Sequence, residues 1–202
     1  MLKWIRIHFP HMPIVLLLRH PCAVIHSLLS LGWDPALKYL LRQENLMSGI
    51  LAPFRAEMQQ ATTPFENHLF LWCAETYVAL NQLEADDVCL VFYEQLCENP
   101  EEEITRLFAF LGQKYDRLVL AQVKRPSPLS RPDSTIVTGG SLIHSWQARI
   151  TTEQLARVMQ VLSLFGLDSI YSEDAMPRVQ DARQIMRFRA KSVSGQPAPS
   201  LL

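Results

Sequence analysis

The sequence lacks most of the features that would place it in a specialised class of protein. Its 202 residues include four cysteines, and none has the paired spacing of a zinc site or a redox pair. The apolar run from Ile14 to Leu18 is too short to cross a bilayer, and no signal-peptide core precedes it. A formal net charge of −1 excludes a broadly basic surface for nucleic acid. We therefore expect a cytoplasmic globular protein with neither a metal site nor a membrane span.

Two apolar runs have the length and composition of parallel strands that are covered on both faces. They are Ile14 to Leu18 and Val88 to Phe92. Two strands are few for an α/β domain, which normally contributes several. The pattern therefore predicts an α/β fold with a short parallel sheet and mainly helical content, from which part of the sheet is missing.

Apolar residues at helical spacing predict most of the remaining structure. Pro21 can open a helix that ends near Gly32, and residues 35–58 and 64–83 continue the helical pattern. A proline followed by three glutamates, at residues 100–103, predicts a helix that ends before Gly112.

The last third of the chain contains one further helix and several irregular segments. Thr151 or Thr152 can cap the helix, with Glu153 nearby. We interpret residues 2–9 as the end of a helix, 93–99 as a connection, 124–140 as a long loop, 181–191 as a short basic helix and 192–202 as a disordered tail. Residues 1–191 then form a single domain.

The turn after the first strand is the best candidate for an anion site. Arg19 ends the strand, His20 and Pro21 form a turn, and a helix begins. Ligands bind at the carboxyl ends of parallel strands, where free N–H groups and the helix dipole favour an anion. Arg19 adds a planar cation suited to phosphate, and Ser27 lies two helical turns further on. A surface arginine and a solvated serine remain the alternative interpretation.

Four stretches along the chain carry linked motifs. They are Arg19-His20-Pro21 with Ser27, the aromatic-x-x-His-x-x-x-Trp pattern from Phe65 to Trp72, Val91 to Leu96 followed by Asn99-Pro100 and Phe110-Leu111-Gly112, and Leu142 to Ile150 with Trp146. Several motifs in one order are more specific than any single motif. Over roughly residues 1–170 they resemble the bacterial-type sulfotransferases that use 3'-phosphoadenosine 5'-phosphosulfate (PAPS).

The resemblance implies an incomplete P-loop-like sulfotransferase fold and transfer of a sulfuryl group from PAPS, the donor co-substrate, to an acceptor hydroxyl or amine. It implies that Arg19 and Ser27 bind the 3'-phosphate of the nucleotide, and that Tyr93 lies against the adenine. Ser127 matches a loop serine near the nucleotide, and Lys124 and Arg125 suit an anionic ligand. Each of these residues has an ordinary structural or solvated role as its alternative.

Two positions depart from the family pattern. Gly139-Gly140-Ser141 stands where many members carry an Arg-Lys-Gly phosphate clamp. The family also opens with a strand and a Gly- and Ser-containing loop that cradles the 5'-phosphosulfate, whereas the first thirteen residues here contain neither glycine nor serine. We therefore expect an N-terminally truncated sulfotransferase that lacks this loop.

The missing loop leaves the activity open between three outcomes. The chain is a fragment of an active enzyme, completed by a further segment or a second chain, or a non-catalytic nucleotide-binding protein, or an interaction domain that kept the fold. His68 is a weak candidate for the catalytic base, because a histidine on an apolar helix face is more often structural. The acceptor is not indicated, although the helices between residues 35 and 83 suggest an apolar wall for its pocket.

Overall fold

Two parallel strands lie at the centre of the computed structural model, which describes residues 2–84, 86, 88–123, 125, 135–182 and 186. Strand β1 (Ile14–Leu18) pairs with β2 (Val88–Phe92), with Leu16 opposite Leu90. Parallel strands need a long crossover connection, and the helices between residues 19 and 87 supply it. The predicted bounds of both strands are confirmed, as is a mixed α/β fold that is mostly helical.

Besides helical residues at 179–182 and 186, the described residues contain eleven α-helices and one short 3-10 helix. They are α1 (Leu2–His8), α2 (Pro21–Ser30), α3 (Leu37–Leu40), α4 (Glu44–Met47), the 3-10 helix (Ala52–Phe54), α5 (Arg55–Gln59), α6 (Pro64–Gln82), α7 (Tyr93–Glu98), α8 (Pro100–Phe110), α9 (Arg117–Val123), α10 (Thr135–Thr138) and α11 (Thr152–Leu164). Helix α6 packs against α2, and α11 packs against both.

Several predicted helix ends are confirmed by their caps. The Thr63 side chain accepts a hydrogen bond from the Glu66 N–H at the start of α6. Thr151, rather than Thr152, caps α11 in a capping box whose partner is Gln154 instead of the neighbouring glutamate. Gly32 and Gly112 have φ angles of 67° and 64°, the left-handed conformation that lets the chain turn away after α2 and α8.

The helical pattern predicted for residues 35–58 is not one continuous helix in the structure. The structure breaks this segment into α3, α4, the 3-10 helix and α5. Pro53 lies inside it and cannot donate a backbone hydrogen bond, which interrupts a regular helix. The spacing predicted one buried side, made of Leu37, Leu40, Leu41, Leu46, Ile50 and Phe54. Of these, Leu37 and Phe54 are buried and the others are half-buried, whereas the fully buried Met47, Leu51 and Met58 were not predicted.

Three other expectations need correction or fall outside the described part. Residues 93–99 are mostly the helix α7 rather than a simple connection. The long loop predicted for residues 124–140 contains the short helix α10, although residues 124 and 126–134 lie outside the described residues. Most of the helix predicted over 181–191, and the whole of 192–202, also lie outside them.

Strand β1 is covered on one face only, contrary to the prediction for both strands. All five residues of β2 are buried, but Val15 and Leu17 of β1 are 41% and 56% exposed. The side chains of a strand alternate between two faces, so these two residues share the uncovered face.

No helix in the described part of the chain has both the length and the apolar character needed to cross a membrane. Among the same residues, no three His, Cys, Asp or Glu side chains gather in a group that could hold a metal ion.

Candidate nucleotide-binding site

Arg19 lies at the carboxyl end of β1, and its guanidinium is held from two sides. It lies over the Tyr93 ring, with its central carbon 4.2 Å from the ring centroid. Its Nη2 donates to the main-chain oxygen of Leu142 at 3.4 Å. The side chain is half-buried, so the protein fixes the position of the cation while leaving part of it open to a ligand.

Three segments therefore meet at this point. Tyr93 directly follows β2, as Arg19 follows β1, so the two residues leave neighbouring strands at the same edge of the sheet. Leu142 brings the third segment, which begins with Gly139-Gly140-Ser141. The predicted nucleotide contacts Arg19 and Tyr93 are thus in direct contact, at the edge where open α/β sheets bind ligands.

The amino-terminal N–H groups of α2 are already bonded within the protein, unlike the free groups expected from the sequence. The Cys22 N–H donates to Nδ1 of His20 at 3.2 Å, and the N–H groups of Ala23 and Val24 donate to the His20 main-chain oxygen. Pro21 has no N–H to offer. An anion at this turn must consequently be held by side chains rather than by helix amides.

Glu94 joins the turns that follow the two strands. Its Oε1 accepts from the His20 N–H at 2.7 Å, and its Oε2 accepts from the Tyr171 hydroxyl at 3.3 Å. The carboxyl group is 1% exposed. Because Glu94 adjoins Tyr93 and His20 adjoins Arg19, this bridge sets the distance between the two residues that line the candidate site.

The His20 ring is locked by its own contacts. Its Nε2 lies 3.0 Å from the Ser172 main-chain oxygen, to which it must donate, while Nδ1 accepts from Cys22. The ring stacks on Trp146 at a centroid distance of 4.2 Å. One nitrogen donating and the other accepting define a single neutral tautomer.

Burial controls ionisation throughout this cluster. Burial, together with the positive charge of Arg19 and against the hydrogen bond to the Ser172 oxygen, lowers the pKa of His20 to about 4. It raises the pKa of Glu94 above the ordinary carboxyl range, against the hydrogen bond from the His20 N–H. It also raises the pKa of Tyr93 to about 12. His20 and Tyr93 are therefore uncharged near neutral pH, and Arg19 carries the positive charge of the site.

Ser27 lies on α2, and its side chain is exposed. Its main-chain oxygen accepts from the Ser30 hydroxyl at 2.8 Å, while the Ser27 hydroxyl has no hydrogen bond to another described residue. Ser27 is six positions along the helix from Pro21, its first residue, which corresponds to a rise of about 9 Å. The hydroxyl is thus available to a ligand that extends along α2 from Arg19.

The loop residues predicted to bind the nucleotide are largely outside the described part of the chain. Lys124 and Ser127 are among the residues not described, and Arg125 is exposed. Their predicted role stays a prediction.

His68 lies far from Arg19. It is 4% exposed, and its Nε2 bonds the Trp33 main-chain oxygen at 3.1 Å, just beyond the carboxyl end of α2. Arg19 precedes the amino end of the same helix, and ten residues of α-helix span about 15 Å. The structure does not bring His68 to the candidate site, and its contacts fit the structural alternative.

Comparison with known proteins identifies the family. The model of the sulfotransferase family matches residues 1–117, more than half of the chain. The chain belongs to the sulfotransferase family. Searches of the curated proteins and of the solved structures found no match. The matched sulfotransferase region contains Arg19, Ser27, Tyr93 and Glu94, and it ends before the segment that carries Trp146.

Sequence reasoning missed Tyr171, and it assigned no supporting role to the other residues that hold this sulfotransferase site in place, although they lie in the motifs described above. These others are His20, Glu94, Leu142 and Trp146. The sequence offered one signal: Glu94 lies two residues after a fully apolar strand, and a carboxylate buried there needs a hydrogen-bond donor. Nothing local to the sequence showed that the donor is the backbone of the other turn.

Proposed function

We propose that this protein binds adenosine nucleotides that carry a 3'-phosphate, with Arg19 and Ser27 at the phosphate and Tyr93 against the adenine. The proposal extends to transfer of a sulfuryl group from PAPS to an acceptor hydroxyl or amine when a donor-binding strand and loop complete the site. The observation that carries it is the fixed position of the Arg19 guanidinium at the carboxyl edge of the sheet.

A guanidinium held in this way suits a phosphate group. It has five N–H donors, and the bond to Leu142 uses only one. The remaining donors can form the paired, charge-assisted bonds that arginine makes with phosphate. Since Tyr93 and Leu142 already position the side chain, the phosphate binds without the full entropic cost of ordering it.

The transfer itself breaks the bond between sulfur and the phosphate oxygen of PAPS as the acceptor atom bonds to sulfur, and a base takes the acceptor proton. The described residues supply nucleotide binding for this reaction, and positioning of this kind accounts for much of the barrier reduction in such transfers. Cations near the leaving phosphate must supply the rest. Lys124, Arg125 and Ser127 remain proposed contacts, and the base remains unassigned, with His68 a weak candidate.

A non-catalytic nucleotide-binding or interaction protein, derived from a sulfotransferase, is the second candidate. One observation favours it. The N–H groups at the start of α2 are all occupied, so this turn offers side chains but no free helix amides to a bound anion.

The proposed completion of the active enzyme requires a strand and loop from a preceding segment or a second chain. Within the described residues β1 pairs with β2 alone, so its other edge is open to an added strand, and the helix that accompanies the loop would cover the exposed face of β1. Reading the genomic DNA upstream of Met1 tests this part: a neighbouring strand-loop-helix with glycine, serine and a lysine or arginine is expected. Its absence would favour the non-catalytic candidate.

Calorimetric titration tests nucleotide binding. We expect adenosine 3',5'-bisphosphate to bind at least tenfold more tightly than adenosine 5'-monophosphate, which lacks the 3'-phosphate. Arg19→Ala should remove that preference, because a charge-assisted hydrogen-bonded pair contributes about 1.5–3 kcal/mol. Arg42→Ala is the matched control, since Arg42 is an exposed arginine on another part of the surface.

An activity measurement distinguishes the two candidate functions, sulfotransferase and non-catalytic binding protein. The enzyme releases adenosine 3',5'-bisphosphate from PAPS in the presence of an acceptor, whereas the binding protein holds the nucleotide without turnover. Equal binding of the two nucleotides, or unchanged binding by Arg19→Ala, would exclude the 3'-phosphate assignment for both.

A further inference from the structure

A cavity of about 330 Å³ lies between α2, the start of α6 and residues 149–154. Its wall on the α2 side is a stripe of residues three or four apart, which share one face of the helix. The lining residues are Cys22, His26, Leu29, Ser30, Phe65, Arg149, Ile150 and Gln154. The volume falls in the range of small-molecule sites, which combine apolar walls with a few placed polar groups.

The cavity has an apolar part and a cationic part. Leu29, Phe65 and Ile150 are half-buried and pack against the hydrophobic core, so their positions are fixed. Arg149 and His26 line the same space. A ligand that fits both parts has an apolar body and a negatively charged end.

Arg149 has no counter-ion among the described residues. No ion pair or side-chain hydrogen bond joins it to any of them. The pKa of the neighbouring His26 is lowered mainly by burial and, to a smaller extent, by the charge of Arg149. His26 likewise has no hydrogen-bond partner among the described residues. The charge of Arg149 and the imidazole of His26 thus face a common space, where an oxyanion would be attracted by the guanidinium and could accept a hydrogen bond from the ring N–H.

We propose that this cavity binds a small organic acid, with its oxyanion between Arg149 and His26 and its apolar body against Leu29, Phe65 and Ile150. The site is distinct from the proposed nucleotide site. Arg19, Ser27 and Tyr93 do not line the cavity, so the two sites use different side chains. The proposal therefore does not depend on nucleotide binding.

Calorimetry with 1-naphthaleneacetate, and with 1-naphthaleneethanol as its neutral counterpart, tests the proposal on the full chain. We expect the acid to bind at least tenfold more tightly than the alcohol. Arg149→Met should remove this preference, a loss of about tenfold to hundredfold in affinity for the acid. Arg149→Lys should retain part of it, and Arg42→Met, the same change at an exposed arginine that does not line the cavity, should retain all of it.

Two further measurements locate the acid. Leu29→Trp, which fills the apolar part, should weaken binding of acid and alcohol alike. In NMR spectra the bound acid should raise the pKa of His26, because it adds a negative charge beside the ring. Equal binding of acid and alcohol, unchanged affinity in Arg149→Met, or an unmoved His26 titration would each overturn the proposal.

Competition separates this site from the nucleotide site. We expect adenosine 3',5'-bisphosphate not to displace 1-naphthaleneacetate, and Arg19→Ala to leave its affinity unchanged. Displacement by the bisphosphate together with loss of acid binding in Arg19→Ala would overturn the proposal of a separate site. Those results would assign the oxyanion to the nucleotide site while leaving nucleotide binding itself intact.

Discussion

Strands β1 and β2 have the same length and nearly the same apolar composition, yet the protein surrounds them differently. No residue of β2 is more than 5% exposed, whereas Leu17 of β1 is 56% exposed although it lies opposite the buried Val91. Helix α8 also covers β2, where Nη2 of Arg106 donates to the Leu90 oxygen at 2.8 Å. The apolar composition of a strand therefore indicates that its faces tend to be buried, but the packing of the other elements decides whether both faces are buried in this protein.

The contrast continues in the turns that follow the strands. The turn after β1 carries the cation of the candidate site, and the turn after β2 carries Tyr93 and the Glu94 carboxylate that holds both turns together. The turn after the buried strand thus supplies the buried carboxylate that joins both turns, and the turn after the half-covered strand carries the cation that is proposed to bind the ligand. Three sets of variants test this division.

Glu94→Ala should produce the largest loss of stability. It leaves the His20 N–H and the Tyr171 hydroxyl buried without their acceptor, at a cost of about 4 kcal/mol for the two groups together. Urea unfolding measures the effect. Glu98→Ala on the same helix is the control, since Glu98 is exposed and should change stability by less than about 0.5 kcal/mol. Similar values for the two variants would show that the bridge does not support the fold.

Because His20 is buried in its neutral form, it should lower the unfolding free energy of the protein in acid. Its folded pKa is about 4, below its ordinary 6.5, so between these values the unfolded chain binds a proton that the folded protein does not. The unfolding free energy should therefore fall as the pH is lowered through this window, by about 3 kcal/mol in total.

Glu94 acts in the opposite direction. Its folded pKa is raised, so it adds stability as the pH falls through that value and partly masks the contribution of His20. A comparison of wild type with His20→Gln isolates the histidine: the loss of stability between pH 7 and pH 4 should be about 3 kcal/mol smaller in the variant. Identical pH dependence in the two proteins would contradict the assignment.

Val91→Ala and Val15→Ala make the same chemical change on the two strands. Val91 is 3% exposed and Val15 is 41% exposed, so we expect losses of about 2 kcal/mol and less than about 0.5 kcal/mol respectively. Equal losses would indicate that the exposed face of β1 is covered in solution. Repeating the urea unfolding at several protein concentrations would then show whether a second copy covers it.

The positions of the strands and of the long helix were predicted better from the sequence than the contacts that bury them. Both strands and the bounds of α6 followed from local signals, such as a continuous apolar run or a proline at the first helical position. The break-up of residues 35–58 was missed because apolar spacing reports which residues are buried, and short helices bury them as well as one long helix does. Likewise, a strand's composition does not reveal whether neighbouring elements cover both of its faces.

For the candidate site, the sequence indicated Arg19 and Tyr93 as members but not their contact with each other. That contact depends on the register of two strands separated by about seventy residues and on a buried carboxylate between their turns. The occupied amides at the start of α2 were also unpredicted, because the histidine that caps them has no strong preference for that position.

The ring of Tyr93 has two faces, and the Arg19 guanidinium covers one of them. A planar base that stacks at this residue has only the opposite face available, so the ring separates the base from the cation by a constant thickness. In the proposed nucleotide complex, the 3'-phosphate must therefore reach around the ring to the guanidinium. The ring would then favour ligands whose base and anion are separated by at least its own thickness.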